Sequence, residues 1–305
     1  MKNYKIADLV FGLDLKDELL HPSMADFLYV GNAPVTFTVT TDTDAMTHAD
    51  AIEFIKEHEK NRLILSNYMM VMKAEWGYRF YYQEEPRILC CDVDTTANHA
   101  VIHLSTEPVT PVSRCHGCAA SPSLSFTDYI FYILRDIFFT FAPWHNMIPV
   151  HSSTIIYNSR AYVFSARSGT GKTTHTNLWI EHFNVDILDG DVTMLSLEDD
   201  GIFAYGMPWC GTSMKYQNKK VPLGGIVFLS QAKENTVTEL SAFDGALSLM
   251  ARSFAPTWTK ELSSRNCFLS EQVAANTLCL HLACLPNREA ALLVKEYIDR
   301  RLSGV

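Results

Sequence analysis

Ser168, Gly169, Thr170, Gly171, Lys172, Thr173 and Thr174 follow one another in AYVFSARSGTGKTTHTNLW, the stretch from Ala161 to Trp179. Small residues ahead of Gly-Lys-Thr-Thr let successive main-chain N–H groups turn inward onto phosphate oxygens. The same spacing sets the Lys172 ammonium beside the terminal phosphates and offers the Thr173 hydroxyl to Mg²⁺. The chemistry such a segment serves is the binding of a nucleoside triphosphate such as ATP. The strict form of the pattern has glycine where this chain has Ala166, the mildest replacement. A glycine-rich turn that only joins a strand to a helix is the plainer alternative, and it would not require a lysine followed by two hydroxyls.

A bound triphosphate needs a divalent cation, and the cation needs a carboxylate at the end of a second strand. Ile187-Leu188-Asp189-Gly190-Asp191 fits, with the apolar pair buried and the period of a strand carrying Asp189 and Asp191 to one side. Asp189, Asp191 and the Thr173 hydroxyl are then the candidates to hold the metal. An Asp-Gly turn with solvated carboxylates is the alternative.

These residues must be held by strands and a helix, and the flanking sequence supplies them. Tyr162, Val163 and Phe164 read as a buried strand entering the loop, and Thr174 to Ile180 begins a helix. Upstream stand VHSSTII and a turn at Asn158-Ser159-Arg160. Downstream, VDILD and VTMLSL lead to a hairpin signal at Glu198 to Gly201, which argues for a mixed rather than a purely parallel sheet. His175, on the loop helix, reads as helix surface or packing. Gly206 to Lys220 is aperiodic and holds Pro208, Trp209, Gly211, Lys215 and Lys219. It reads either as a segment that closes over a ligand, with Trp209 covering it and a lysine neutralising phosphate, or as an exposed connection. Arg167 lies in the loop, where its backbone counts whatever its guanidinium faces.

The order of the His-Ser-Ser strand, SARSGTGKTTHT, ILDGD, YGMPWCG and VPLGGIVFL resembles the HPr kinase and phosphoenolpyruvate carboxykinase-like superfamily, and within it the small kinase-like members. The likeness covers Val150 to Leu229 well, the C-terminal stretch loosely and the first hundred residues hardly at all. It implies an α/β fold with a mixed sheet, ATP and Mg²⁺ at the loop, and phosphoryl transfer to a hydroxyl, with Lys172 and Thr173 as the family's lysine and metal-binding hydroxyl. Two adjacent aspartates usually follow the second strand in that family. Here Gly190 takes the first acidic place and Asp191 the second, so the resemblance implies Asp191 as the metal ligand beside Thr173 and leaves two candidates for the base. Asp189 lies one residue early, and His151 matches a histidine found near the site, a residue type whose imidazole can deprotonate or orient a hydroxyl.

At 305 residues, with 48% hydrophobic and 19% charged content, the chain has the composition of a globular protein of two domains. A net charge of -9, with paired basic residues at Lys219-Lys220 and Arg300-Arg301, argues against nucleic acid and anionic membrane surfaces as partners. The N-terminal MKNYKIADLVFGLDLKDELL has no apolar h-region, which predicts no secretory signal and a cytoplasmic location. Tyr129 to Phe141 is apolar, but Arg135 and Asp136 interrupt it and Pro143 closes it, so it reads as a buried helix between the two parts of the chain. Eight cysteines read as reduced thiols. Cys115-His116-Gly117-Cys118 is either a pair of metal ligands or loop thiols, and one of Cys90 and Cys91 is expected inside.

The strand-like runs VTFTVTT, RLILS, GYRFYYQ, RILCCDVD and HAVIHLS, with a helix on Ala51, Ile52, Ile55 and His58, predict a strand-rich α+β accessory domain over residues 1–110. Residues 111–147 are expected to hold a linker and the buried helix, the linker centred on Glu107 to Ser123. A P-loop nucleotide-binding domain then spans 148–305. The expected partners are a nucleotide and a hydroxyl acceptor, and a homo-oligomer is compatible with the chain. The leading expectation is an ATP- and Mg²⁺-dependent kinase. The alternative is a nucleotide-binding regulator without phosphoryl transfer, for which Gly190 is the best argument. Phosphoenolpyruvate carboxykinase activity itself is not expected from a chain this short.

Overall fold

The computed structural model describes residues 1–65, 69–82, 85–106 and 124–303. The linker stretch Glu107 to Ser123, with Cys115, His116 and Cys118, lies outside the described residues. Two compact units divide the chain, Met1–Phe138 and Phe139–Val305.

The first unit is built on an eight-stranded mixed sheet. Its strands are β1 (Lys2–Ile6), β2 (Leu9–Asp14), β3 (Phe37–Asp42), β4 (Arg62–Leu65), β5 (Met69–Ala74), β6 (Gly77–Tyr82), β7 (Ile88–Asp94) and β8 (His99–Leu104), in the order β1-β2-β3-β8-β7-β6-β5-β4. β3 runs parallel to both its neighbours, and the other pairs are antiparallel. β1, β2 and β5 are strands that alternation did not reveal. β1 and β2 close through Ala7 and Asp8 at φ 47° and 64°, a hairpin made without glycine. Helix α1 (His48–Glu57) begins at a capping box between Thr47 and Asp50. Its Ala51, Phe54 and Ile55 cover Met70, Met72, Tyr81 and Cys90, whereas Ile52 stays 51% exposed. Cys90 and Cys91 are both fully buried, because the face opposite α1 is also covered: Tyr82 there reaches Asp136 of helix α2 (Phe126–Phe141). Ser125 and Asp128 cap α2 reciprocally.

In the second unit β9 (Met147–Tyr157) turns through Asn158 and Ser159, both at positive φ, into β10 (Arg160–Ser165). Helix α3 (Lys172–Phe183) and the short β11 (Asp186–Asp189) follow, then the hairpin β12 (Val192–Glu198) and β13 (Gly201–Gly206). β14 (Lys220–Gln231), β15 (Thr236–Glu239), α4 (Ala242–Met250), α5 (Lys260–Ala275), β16 (Leu278–Cys284) and α6 (Arg288–Leu302) complete the unit. β14 is parallel to β10 and β16, and the remaining pairs are antiparallel, so the sheet is mixed. β9 changes neighbours along its length: Met147 to His151 pair with β12, and Ser152 to Tyr157 with β10.

Alternation along β10 sends successive side chains to opposite cores. Ala161 and Val163 pack with Ala246, Leu249, Val273 and Ala274 of α4 and α5. Tyr162 and Phe164 pack with Trp179 of α3 and Ala291, Val294 and Ile298 of α6. Each large apolar side chain so buried contributes about 1.5–3 kcal/mol relative to exposure. Helices on both faces thereby fix the end of β10 and the start of α3 against one rigid sheet.

Candidate functional site

β10 ends at Ser165, whose hydroxyl donates to the His151 carbonyl at 2.7 Å. The chain then passes through Ala166 to Gly171 into α3. Gly169 and Gly171 lie at φ 77° and 116°, where a side chain would strain the backbone. A Cβ on Gly169 would meet nothing within 4 Å, so conformation and not crowding calls for glycine there. Thr47, Ser241, Thr259 and Asn287 cap their helices with side chains, whereas α3 starts from Gly171 with no side-chain cap. The first N–H groups of α3 therefore end at the loop as donors, where the helix carries its partial positive charge. Ser168, Thr173 and Thr174 are exposed and Thr170 is half-buried.

Packing behind the loop holds α3 in place. Thr176 and Ser153 share a hydrogen bond at 2.9 Å, and the fully buried Trp179 donates to His175 Nε2 at 3.2 Å. His175 is 3% exposed and therefore packs inside and is no part of the helix surface. Burial lowers it to about 4.

Lys172 opens α3 and is 8% exposed. Its Nζ hydrogen-bonds His151 Nε2 at 2.8 Å and the Ala166 carbonyl at 3.5 Å. With Lys172 protonated, Nζ is the donor of this bond and Nε2 the acceptor. Burial lowers the Lys172 ammonium below 10.5, Asp191 pulls it back, and Arg252 pushes it further down. His151 is itself held on the sheet by Val192 opposite and by its own N–H, which donates to the Arg252 carbonyl at 2.9 Å. Asp191 Oδ1 stands 3.5 Å from the same His151 Nε2, so Lys172, His151 and Asp191 are brought together.

Asp189 and Asp191 do not share a side. A register shift in β11 beside Asp189 accompanies the difference. Asp189 is fully buried: its Oδ1 accepts from the N–H groups of Asp191 and Val192 at 2.8 and 2.9 Å, and its Oδ2 from Met207 N–H at 2.7 Å. Burial raises its carboxyl well above the ordinary value against the pull of these donors. The Asp191 side chain, by contrast, is 40% exposed. The segment from Gly206 to Lys220 folds onto this turn. Gln217 N–H donates to the Leu188 carbonyl at 2.9 Å, Tyr216 bridges Asp189, and a Cβ on Gly211 would lie 2.7 Å from Asp191 Oδ2. A Cβ on Gly190 would overlap the Ser213 hydroxyl. Trp209, a candidate to cover a ligand, instead packs edge-on against Phe139 and is 2% exposed. Lys215, Lys219 and Arg167 are exposed.

Arg252 is the site residue that sequence reasoning missed. It follows α4 in an aperiodic stretch, and only the fold brings it beside β9. There Val150 bridges Ser253 and the Phe254 ring lies 5.3 Å from that of His151. The resulting constellation is two cations, an imidazole and a partly exposed carboxylate next to a glycine loop and an uncapped helix start. Such a set can bind a polyanion, neutralise its charge and move a proton.

No protein-family model matches the chain, and no curated protein matches it. Among solved structures it is similar to the Hpr(Ser) kinase/phosphatase from Coxiella burnetii, at 10% identity and a TM-score of 0.31, over 51% of this chain and 91% of that one. Among the described residues no helix is long and apolar enough to cross a membrane.

Proposed function

We propose that the second unit binds ATP with Mg²⁺ and transfers the terminal phosphoryl group to a hydroxyl of a small molecule, peptide or protein. The observation that carries this reading is Lys172, a buried lysine at a glycine loop whose hydrogen bonds go to the His151 imidazole and a carbonyl. A buried charge is costly unless an opposite charge answers it, and triphosphate oxygens entering between the loop and Lys172 would do so. Ser168 to Thr174 supply the main-chain donors, and Arg252 adds a second cation to oppose charge that develops during transfer.

The hard oxygen donors Thr173 and Asp191 suit Mg²⁺, which when bound neutralises phosphate charge. In the transfer, the acceptor oxygen bonds to the terminal phosphorus as the bridging P–O bond breaks and the nucleoside diphosphate leaves. Lys172 turns from His151 to the phosphate, and the released Nε2 takes the acceptor's proton. Asp189, with both oxygens engaged by main-chain N–H groups, is assigned to holding the turn that presents Asp191.

The packing of Ser213 on Gly190 favours a second reading, a regulator that binds nucleotide without transferring phosphate. Calorimetry with Mg²⁺-ATP on the purified chain and on Lys172→Met, followed by labelled transfer into a lysate of the source organism, separates the two. Saturable binding lost in the variant, with label entering an acceptor, supports the kinase. Binding without transfer, together with nucleotide-dependent capture of a partner, supports the regulator. No binding of any nucleoside triphosphate overturns both.

A further inference from the structure

Beneath α1 in the first unit, three strands bring Arg79, Cys90, Asp92 and His103 onto one face of the sheet. Cys90 and Asp92 are alternate residues of β7, His103 is the register partner of Cys90, and Arg79 is that of Asp92. The Arg79 guanidinium takes both oxygens of Asp92, at 2.5 and 2.7 Å, and lies 4.1 Å over the Phe54 ring. His103 Nε2 hydrogen-bonds Asp92 Oδ2 at 3.2 Å. The other ring nitrogen, Nδ1, is buried with no hydrogen-bond partner, on a residue 8% exposed. A buried polar atom left unmet carries a desolvation penalty. Cys90 Sγ, a carboxylate oxygen of Asp92 and a ring nitrogen of His103 lie within 4.8 Å of one another, and Met46 Sδ stands 3.4 Å from Cys90 Sγ.

We propose that Cys90 Sγ, His103 Nδ1 and Met46 Sδ form a site for a soft monovalent metal ion of the Cu(I) class. A ligating histidine characteristically donates its second ring N–H to a carboxylate, which fixes the tautomer and aims the lone pair. The His103–Asp92 contact is such a pair, and it leaves the lone pair on the unpartnered Nδ1. Because Arg79 already holds both oxygens of Asp92, the carboxylate orients the imidazole and is not itself a ligand. Thiolate and thioether sulfur select soft ions.

Charge then selects the valence. Arg79 and Asp92 cancel, imidazole and thioether are neutral, and the entering ion displaces the Cys90 thiol proton to solvent. One positive charge beside one thiolate leaves the buried cluster neutral, whereas a divalent ion would leave it positive at a considerable desolvation cost. The ion enters as Cu(I), so no electron is gained or lost. A buried polar cluster beside a core thiol is the plainer alternative, and it leaves the Nδ1 lone pair without a purpose.

The test uses the full chain carrying Cys115→Ser and Cys118→Ser, since those thiols could bind a soft ion by themselves. Reduced, oxygen-free protein is titrated with Cu(I) in competition with bicinchoninate. One equivalent should leave the chelator, with X-ray absorption reporting sulfur and nitrogen neighbours and an unfolding temperature that rises with Cu(I). Cys90→Ser should weaken binding by at least about 100-fold. Should that variant fail to fold, Met46→Leu, a change of similar volume, should weaken binding about tenfold with the metal-free unfolding temperature unchanged. No equivalent bound, an affinity indifferent to both substitutions, or a preference for Zn(II) at Cys90 would each overturn the proposal.

Discussion

Lys172 Nζ and His151 Nε2 are hydrogen-bond partners at 2.8 Å, so the cation assigned to phosphate and the imidazole assigned to the acceptor's proton satisfy one another. Each must release the other for transfer to occur. Substitution of the first should affect nucleotide binding, and substitution of the second the chemical step.

Lys172→Met should lower the affinity for Mg²⁺-ATP by about 100-fold, the worth of a hydrogen bond to a charged group. It should leave the fold intact, because burial disfavours the ammonium in the native protein. Between the depressed native value and 10.5 the unfolded chain holds more protons on Lys172, so wild-type stability climbs as pH rises through that window. The variant lacks this titration, and any stability advantage it has at neutral pH should shrink toward pH 10. Denaturant midpoints across that range check the sign.

His151→Gln should cut the transfer rate by about 10²–10⁴ while nucleotide affinity stays within a few-fold. Single-turnover kinetics with labelled ATP separate the two quantities. An equal loss in both would move His151 from proton transfer to nucleotide binding.

Arg252→Gln should lower the transfer rate by about 10²–10³, as removal of a charge-stabilising donor does. His151 should remain in place, because it is the Arg252 carbonyl and not the guanidinium that holds its N–H. An unchanged unfolding temperature beside reduced turnover is the expected combination.

Asp189→Ala should destabilise the second unit by about 3–5 kcal/mol, since it strands three main-chain N–H groups that the carboxylate now receives. Urea unfolding measures it. A variant that unfolds normally but turns over slowly would return Asp189 to the chemistry.

Gly190→Ala should cost about 1–3 kcal/mol through overlap with Ser213, and Ser213→Gly should recover much of that loss. A double-mutant cycle reads the coupling directly. Additive effects would show that the segment moves aside freely.

Local chemistry made much of this arrangement readable. The strand-turn-strand around Asn158, the hairpin at Glu198 to Gly201 and the reciprocal cap of Ser125 and Asp128 each announce themselves within a few residues. So does the succession of strand, glycine loop and helix that brings Lys172 to His151. What stayed hidden depends on distant contacts. β5, MMVMKA, carries no alternation because both of its faces are covered, and Met-rich runs suit helix and strand alike. Asp189 and Asp191 look equivalent by spacing, but a register shift and the N–H group of Met207 set them apart. Strands β11 to β15 and helix α4 separate Arg252 from Lys172 along the chain, and its neighbourhood follows from the pairing of Val150 with Ser253 and the bond of the His151 N–H to its carbonyl.

Because β9 leaves one neighbour and joins another next to His151, that residue sits at a fork in the ladder. Adding or deleting one residue upstream would rotate Ser152 or Val150 into its place and turn the imidazole to the opposite core. Length variation in descendants of this sequence should therefore gather at the tips around Asn158 and Asp199, leaving the fork untouched.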